Sequence, residues 1–435
     1  MIIALILFVL TYILMLVLPD HRHWIALGSA ACFMVLGMIG FFPYTLMNAL
    51  TEVDYNVLLM ISGTMVLVIF FIESKLPIRL AEMLISHVPN VKWTIAMLAL
   101  FAGIISAFVD NVATVLMVAP VGLAISRKLK ISPVPVIISI AVSSNLQGAA
   151  TLVGDTTSIL LGGYANMNFF DFFWMKGKPG IFWGVELGAL VSLRVLLFIF
   201  RKENASISTK VETEVTDYVP AMLLTVLIAG LIGASFIPAP KNGFLLTLYN
   251  LRSGLICITL CIIGIVYNCY KKHSLNPLTL ALKEFDVQTI LLLVGLFIVI
   301  GGIKSAGLID EIAKLFYTVA GSRPFVLYTL IVFASVLLSA FIDNIPYVAT
   351  MLPVIASIAS MMHVEPYVFF FGLLTGATLG GNLTPIGASA NIAATGILRK
   401  HGYTVTIYDF LRIGIPFTLS AVLTGYVYIW IVWGI

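Results

Sequence analysis

Apolar runs long enough to cross a lipid bilayer dominate the chain. A helical crossing takes about 20 predominantly apolar residues. Runs of that order lie at 2–18, 24–42, 55–73, 180–200, 219–238, 250–269, 286–303 and 413–434. Only 10% of the residues are charged, too few to cover the surface of a water-soluble domain. The sequence therefore predicts an all-α polytopic protein embedded in a lipid bilayer, and it excludes a soluble enzyme, a disordered chain and a nucleic-acid binder.

Two related halves flank a charged, Ser/Thr-rich linker at 201–218. SAFVDNVATVLMVAPV (106–121) matches SAFIDNIPYVATMLPV (339–354) at an offset of 233, and QGAATLVGDTTS (147–158) falls on GGNLTPIGASAN (380–391) without a gap. Ungapped agreement over about 50 residues indicates an internal duplication. We therefore divide the chain into a first repeat at 1–200, a cytoplasmic linker at 201–218 and a second repeat at 219–435.

Two further apolar stretches, 93–126 and 324–361, carry Asp-Asn near their midpoints, at 110–111 and 343–344. The two parts of 93–126 are short for full crossings, so we expect a re-entrant hairpin with Asp110-Asn111 at its tip, and its counterpart in the second repeat.

Two longer apolar runs, 133–161 and 366–397, are interrupted by Gly, Asn, Thr and Pro, which predicts one broken helix in each half. Each half then crosses the membrane about five times, and an odd number inverts the second repeat relative to the first. On this topology 16 Lys and Arg residues, among them Arg22, Lys130 and Lys210, fall on one side and 7 on the other. Basic loops stay cytoplasmic, so we expect a multi-pass protein of a bacterial inner membrane with both termini periplasmic.

The acids at the hairpin tips need an explanation, because a charge at the bilayer centre costs at least about 2.5–3.5 kcal/mol. Asp110 with Asn111, and Asp343 with Asn344, could each join free backbone carbonyls at a helix end to form an oxygen cage for Na⁺. The alternative is that each Asp-Asn only caps the second helix of its hairpin.

Asp155 breaks the internal symmetry, because Ala388 stands at the matching position of the second repeat. A third carboxylate could exchange H⁺ for a metal cation. It could equally cap the helix that begins at Thr156, and the sequence leaves both interpretations open.

The broken helices would present free N–H groups to an anion and free carbonyls to a cation. Their small and polar side chains are therefore candidate substrate ligands. They are Asn145, Gly148, Thr151, Gly154, Thr156 and Ser158 in the first repeat, and Gly381, Asn382, Thr384, Gly387, Ser389 and Asn391 in the second. No phosphate-binding loop or nucleophile–base pair stands out, so we predict neither an enzyme nor a cofactor beyond Na⁺ or H⁺ as coupling ion.

The tip motifs, together with GDTTS (154–158) and GNLTPIGASAN (381–391), resemble the ion transporter superfamily. They are most similar to the branch of arsenite permeases, NhaD-type sodium–proton antiporters and the P protein, with a citrate-transporter-like domain. The resemblance implies an inverted-repeat secondary transporter for a small ion or molecule, commonly a homodimer, whose moving transport domain carries hairpins and broken helices. Dicarboxylate symporters of the superfamily carry Ser-Asn-Thr at the tips, where this chain has Asp-Asn-Val and Asp-Asn-Ile, which disfavours a carboxylate substrate there.

These observations favour a cation–proton antiporter in which Asp110, Asp343 and Asp155 bind Na⁺ and H⁺ in turn. The same scaffold also suits a proton-coupled efflux permease for arsenite or another small oxyanion, or an anion or dicarboxylate symporter. A channel or a receptor is a third candidate, although neither needs duplicated hairpins. The sequence does not choose between antiporter and permease.

Overall fold

The computed structural model describes residues 1–129, 131–206, 211–241 and 243–434, and these fold into helices with one short β-hairpin. Lys130, Lys210 and the middle of the predicted linker lie outside the described residues. The helices are α1 (Ile2–Val17), α2 (Arg22–Met38), α3 (Leu46–Glu52), α4 (Tyr55–Glu73), α5 (Leu76–Ser86), α6 (Val91–Ser106), α7 (Asn111–Leu129), α8 (Pro133–Gly148), α9 (Thr156–Tyr164), α10 (Ile181–Ile199), α11 (Val219–Ser235), α12 (Phe244–Asn250), α13 (Arg252–Lys272), α14 (Asn276–Glu284), α15 (Val287–Ser305), α16 (Leu308–Ala320), α17 (Pro324–Ser339), α18 (Asn344–Met362), α19 (Tyr367–Gly380), α20 (Ser389–Lys400) and α21 (Ile407–Trp433). Short 3₁₀ turns lie at Pro19–His21, Phe170–Phe172 and Gly381–Leu383, and strands β1 (Trp174–Met175) and β2 (Lys178–Pro179) pair antiparallel.

The helices of the described ranges include seven that are each long and apolar enough to cross a membrane, namely α4, α7, α10, α13, α15, α18 and α21. Two bent pairs, α1 with α2 and α16 with α17, pass the same test together, with bends of 118° and 116°. The predicted all-α polytopic membrane protein is thereby confirmed.

Helix boundaries repeat between the two halves. α6 and α7 recur as α17 and α18 at an offset of 233, and α9 begins at Thr156 where α20 begins at Ser389. α4 and α5 recur as α15 and α16 at an offset of 232. The duplication read from the motifs thus extends to helices whose sequences differ.

Helices of each half pack against helices of the other half. α2 of the first half packs along α15 of the second, and α13 of the second packs along α4 of the first in the same way. Gly295 meets the backbone of Ala26, and its equivalent Gly63 meets the backbone of Cys257. A Cβ at either glycine would overlap the facing helix, so both positions need glycine for this close approach.

The last helices of the halves, α10 and α21, pack in opposite directions. Gly188 of α10 faces Ala421, and Ser192, one turn later, donates a 2.9 Å hydrogen bond to the carbonyl of Phe417, which lies one turn earlier in α21. Equivalent helices therefore run antiparallel here, as inverted repeats require. The orientation of the whole repeats in the membrane, and the boundaries at 200 and 218, stay predictions.

Each hairpin turn lies against the interruption of a broken helix. In the first half, the Thr151 hydroxyl donates to the carbonyl of Ala107, the C-cap residue that follows α6. In the second half, the Thr384 hydroxyl donates to the carbonyl of Ala340, the C-cap residue that follows α17, at 2.5 Å. The tips therefore lie at the depth of the breaks, consistent with re-entry. α7 and α18 have 19 residues each, longer than the sequence runs suggest, so re-entry itself stays a prediction.

α19 presents Gly372, Gly376 and Gly380 to α17 at four-residue intervals. A Cβ on Gly376 would lie 2.7 Å from the Cβ of Ser335, and one on Gly380 would lie 2.6 Å from the Cα of Val336. Small residues at this spacing let membrane helices approach closely.

We expect Gly376→Leu to force α17 and α19 apart and to lower the Tm of the detergent-solubilised protein, because overpacking costs about 1–3 kcal/mol. Gly233→Leu is the matched control, since no atom lies within 4 Å of a Cβ added there in α11. Equal losses of Tm in the two variants would contradict this close packing.

Candidate functional site

A cavity of about 430 Å³ lies between the first hairpin tip, α4 and the junction of α14 with α15. Side chains at one end are exposed and include Glu73, Glu284 and Asp286. At the other end, Asn111 and Asp155 are both 4% exposed. The cavity thus leads from the surface to the first hairpin tip and the first broken helix.

Six predicted site residues line this cavity. They are Asp110, Asn111, Asp155, Thr156, Asn344 and Ser389. Five carboxylates line it in total, of which Glu73 is paired with Lys272 at 3.0 Å, and no Lys, Arg or His is among the described lining residues. Such a cavity concentrates cations and repels anions.

Asp110 precedes α7 and caps it. Its Oδ2 accepts hydrogen bonds from the backbone N–H groups of Val112 at 3.0 Å and Ala113 at 3.1 Å. Both bonds are made by the same oxygen, so capping occupies only one side of the carboxylate. The two interpretations of Asp110, a cap and an ion ligand, are therefore compatible in this geometry.

Asp343, the equivalent tip acid, is engaged through both oxygens. Its Oδ1 accepts a 3.0 Å hydrogen bond from the Ile345 N–H, and its Oδ2 is paired with Nη1 of Arg22 at 2.5 Å. Asp343 is absent from the lining of the cavity that the structure describes. Arg22, one of the 16 basic residues expected on the cytoplasmic side, is the first residue of α2, and its guanidinium binds a hairpin tip.

Asp155 directly precedes α9, but its side chain makes no capping hydrogen bond to that helix. Its Oδ2 accepts a 2.7 Å bond from the Thr157 hydroxyl, and its Oδ1 lies 3.5 Å from Nδ2 of Asn111. The structure thus gives Asp155 no capping hydrogen bond to α9, and its exchange of H⁺ for a metal cation stays a prediction.

A buried amide network joins the two broken helices behind the cavity. Nδ2 of Asn111 donates to Asn145 Oδ1 at 3.1 Å, and Nδ2 of Asn145 donates to Asn382 Oδ1 at 3.1 Å and to the Thr378 carbonyl at 2.7 Å. The hydroxyls of Thr157 and Thr378 share a 2.9 Å bond. The carboxylate of Asp155 is thus connected to both repeats.

The remaining predicted ligands lie outside the cavity lining. Most of them pack or form hydrogen bonds at the breaks of the two broken helices. Gly154 and Gly387 pack against the carbonyls that end α6 and α17, with Gly148 and Gly381 beside them. Nδ2 of Asn391 donates to the Gly381 and Thr384 carbonyls, both at 3.1 Å. Ser158 is buried, and its hydroxyl has no hydrogen-bond partner within the described ranges.

Sequence reasoning missed Arg22, Glu73, Glu284 and Asp286. Asp286 caps α15 as Asp54 caps α4, at an offset of 232, so the repeat could have drawn attention to it. Arg22 likewise stands 230 residues before Arg252, each at the first position of a helix. Glu73 and Glu284 had the appearance of ordinary loop charges.

Comparison with known proteins assigns the family. Residues 5–265 and 244–434 match the CitMHS family, described as a citrate transporter. The chain belongs to the citrate transporter family. Among relatives, an uncharacterized transporter of Mycobacterium tuberculosis is 27% identical over 99% of this chain and 98% of its own length. The P protein of Mus musculus is 27% identical over 94% of this chain, which spans 57% of that protein.

Solved transporters share the fold of this citrate transporter family member. The YdaH transporter of Alcanivorax borkumensis superimposes with a TM-score of 0.60 at 14% identity, over 88% of this chain and 86% of that chain. MtrF of Neisseria gonorrhoeae gives a TM-score of 0.58 at 15% identity, over 90% and 84%. The expected ion transporter superfamily is confirmed, and the protein is a multi-span membrane transporter. The homodimer and the orientation of the termini stay predictions.

We expect the cavity to be accessible from one side of the membrane only. In a variant whose four cysteines are replaced, Thr289→Cys, which lines the cavity, should react with a membrane-impermeant thiol reagent from the side of Lys75 and Lys283. The matched control is Val57→Cys at the equivalent position of α4, which is 1% exposed and should be labelled much more slowly than Thr289→Cys. Faster labelling of Val57→Cys than of Thr289→Cys would show that this conformation is not the prevalent one.

Proposed function

We propose that the protein is a secondary active transporter that exchanges a cation, Na⁺ in the first instance, for H⁺ by alternating access. The observation that carries this proposal is the acidic cavity. Asp110 and Asp155 lie at its buried end, and none of its described lining residues is basic. A transported cation would meet complementary charge at Asp110 and Asp155, whereas a free citrate ion would be repelled there.

Competition for one pair of carboxylates supplies the coupling. Asp110 and Asp155 repel each other when both are ionised, so either a proton or a metal cation stabilises the pair. Carboxylate and amide oxygens are the ligands that hard cations prefer, and Asn111 lies between the two acids. Because the same oxygens serve H⁺ and Na⁺, binding of one displaces the other, which is the requirement for exchange.

One observation favours a second function, a permease for a small uncharged oxyacid such as arsenous acid. α20 begins at Ser389 and has no capping side chain, since its N-cap residue is Ala388. Ser389 and Thr156, each the first residue of a half-helix, both line the cavity. Their helix ends could donate hydrogen bonds to an uncharged oxygen ligand, with Asp110 and Asp155 as proton carriers.

We further propose that the protein acts in a bacterial inner membrane, as a homodimer with periplasmic termini. This follows from the basic residues near Glu73 and Glu284, where the cavity opens, and from the resemblance described above. Glycerol-gradient or light-scattering measurements of the purified protein would test the dimer.

Proteoliposomes that contain a pH-sensitive dye test the choice of substrate. An inward Na⁺ or Li⁺ gradient should drive H⁺ outward, and citrate should drive none. Proton flux with arsenite and not with any cation would support the permease in place of the antiporter.

Asp110→Asn and Asp155→Asn should each reduce Na⁺-dependent H⁺ flux by about tenfold or more, because each removes a charged ligand worth about 1.5–3 kcal/mol. Glu186→Gln is the matched control, since it removes a carboxyl from the membrane helix α10, outside the described cavity lining. Full activity in both aspartate variants would assign these residues to helix capping and polar packing alone.

A further inference from the structure

The ion pair between Arg22 and Asp343 joins elements of different repeats. Arg22 begins α2 of the first repeat, and Asp343 is the hairpin tip of the second. Arg252 begins α13, the helix equivalent to α2, and Asp110 is the tip equivalent to Asp343. The duplication therefore supplies a second pair of the same kind, Arg252 with Asp110.

This second pair is not formed in the described conformation. Nη1 of Arg252 donates to the Tyr249 carbonyl at 2.8 Å, and the guanidinium lies 3.9 Å from the centre of the Tyr249 ring. Nε of Arg252 is buried and has no hydrogen-bond partner among the residues described. The partly exposed guanidinium thus contacts a carbonyl and an aromatic ring but no carboxylate among the described residues, and it keeps donors free for one.

The open side of the cavity, at the start of α15, has an equivalent in the first repeat at the start of α4. Here Asp286 and Thr289, at the start of α15, line the open side. Their equivalents at the start of α4 are closed, because Val57 is 1% exposed and Asp54 packs against Gly163. Repeats that exchange their conformations open one end while the other closes. In the opposite-facing conformation the cavity would open at Asp54 and Val57. The Arg22–Asp343 pair would then break, and its equivalent in the other repeat would form.

We propose that Arg252 pairs with Asp110 in the opposite-facing conformation, as Arg22 pairs with Asp343 in this one, and that it displaces the transported cation from Asp110. The pairing needs no particular substrate; only the displacement step rests on the proposed function.

The guanidinium of Arg252 has the properties needed to compete with a cation for the carboxylate of Asp110. A guanidinium keeps its charge throughout the physiological range and binds carboxylates with several donors. Being tethered, it reaches an effective concentration in the millimolar range or above without diffusing to the site. In the present conformation Arg22 keeps Asp343 neutralised, whereas Asp110 and Asp155 have no such partner among the described residues and are open to a cation.

Cross-linking tests the pairing without transport. In the cysteine-free background, a short bifunctional thiol reagent should join Arg22→Cys to Asp343→Cys and also Arg252→Cys to Asp110→Cys. The control pair Arg252→Cys with Asp343→Cys should not be joined. If Val57→Cys is labelled in the same preparation, the opposite conformation is visited; absence of the Arg252–Asp110 product would then overturn the proposal.

Arg252→Gln separates conformational from structural effects. The variant should retain Na⁺-dependent stabilisation of its Tm, yet exchange should slow, and the labelling ratio of Thr289→Cys to Val57→Cys should rise about fivefold or more. Arg252→Lys should restore part of the exchange, Arg22→Gln should shift the ratio the other way, and Arg194→Gln in α10 should leave it unchanged. Loss of Tm and of Na⁺ binding in Arg252→Gln, with an unchanged ratio, would assign Arg252 a structural role and overturn the proposal.

The two proposals fail separately. Cross-links without cation-driven H⁺ flux in proteoliposomes would retain the Arg252–Asp110 pairing and reject the antiport. Cation-driven H⁺ flux without the Arg252–Asp110 cross-link would retain the antiport and reject the pairing.

Discussion

Everything at the centre of this transporter depends on how interrupted helices satisfy their backbone groups inside a bilayer. Hydrocarbon offers no hydrogen bonds, so irregular backbone survives there only where protein or a cavity surrounds it. Here each broken helix donates hydrogen bonds to the backbone of the neighbouring hairpin turn. Thr151 and Thr384 close the carbonyl ends of α6 and α17, and Asn145 reaches across to the carbonyl of Thr378 in the other repeat. The polar centre is stable because each irregularity is the binding partner of another.

The buried acids differ in whether a basic side chain of the protein pairs with them. Asp343 carries its own counter-ion, Arg22, supplied by the other repeat. Asp110 and Asp155 have hydrogen-bond donors but no ion-paired arginine or lysine within the described residues, and both face the cavity. Duplication thus produced equivalent positions, and packing made them unequal. An asymmetric arrangement of this kind lets one half offer a site while the other is closed.

Much of the architecture could be predicted from the sequence, because composition identifies the membrane and a constant offset identifies equivalent helices. The starts of α9 at Thr156 and α20 at Ser389 follow from the duplicated motifs. The contacts of the candidate site were harder to predict from the sequence. Arg22 and Asp343 are 321 residues apart, and their contact depends on α2 packing along α15, which no local pattern reports. Glycines such as Gly154 and Gly387, expected to approach a substrate, instead approach helix-end carbonyls, and a sequence cannot distinguish the two kinds of close approach.

The exchange of helices between the halves has a consequence for biosynthesis. α2 and α4 leave the ribosome long before α15 and α13, the helices against which Gly295 and Gly63 allow them to close. Until then α4 presents the face that holds Gly63 without the helix that covers it, and Arg22 lacks its acid. The first half can pack α6, α7 and α8 together as it emerges, but α2 and α4 complete their packing only after the C-terminal half has been inserted.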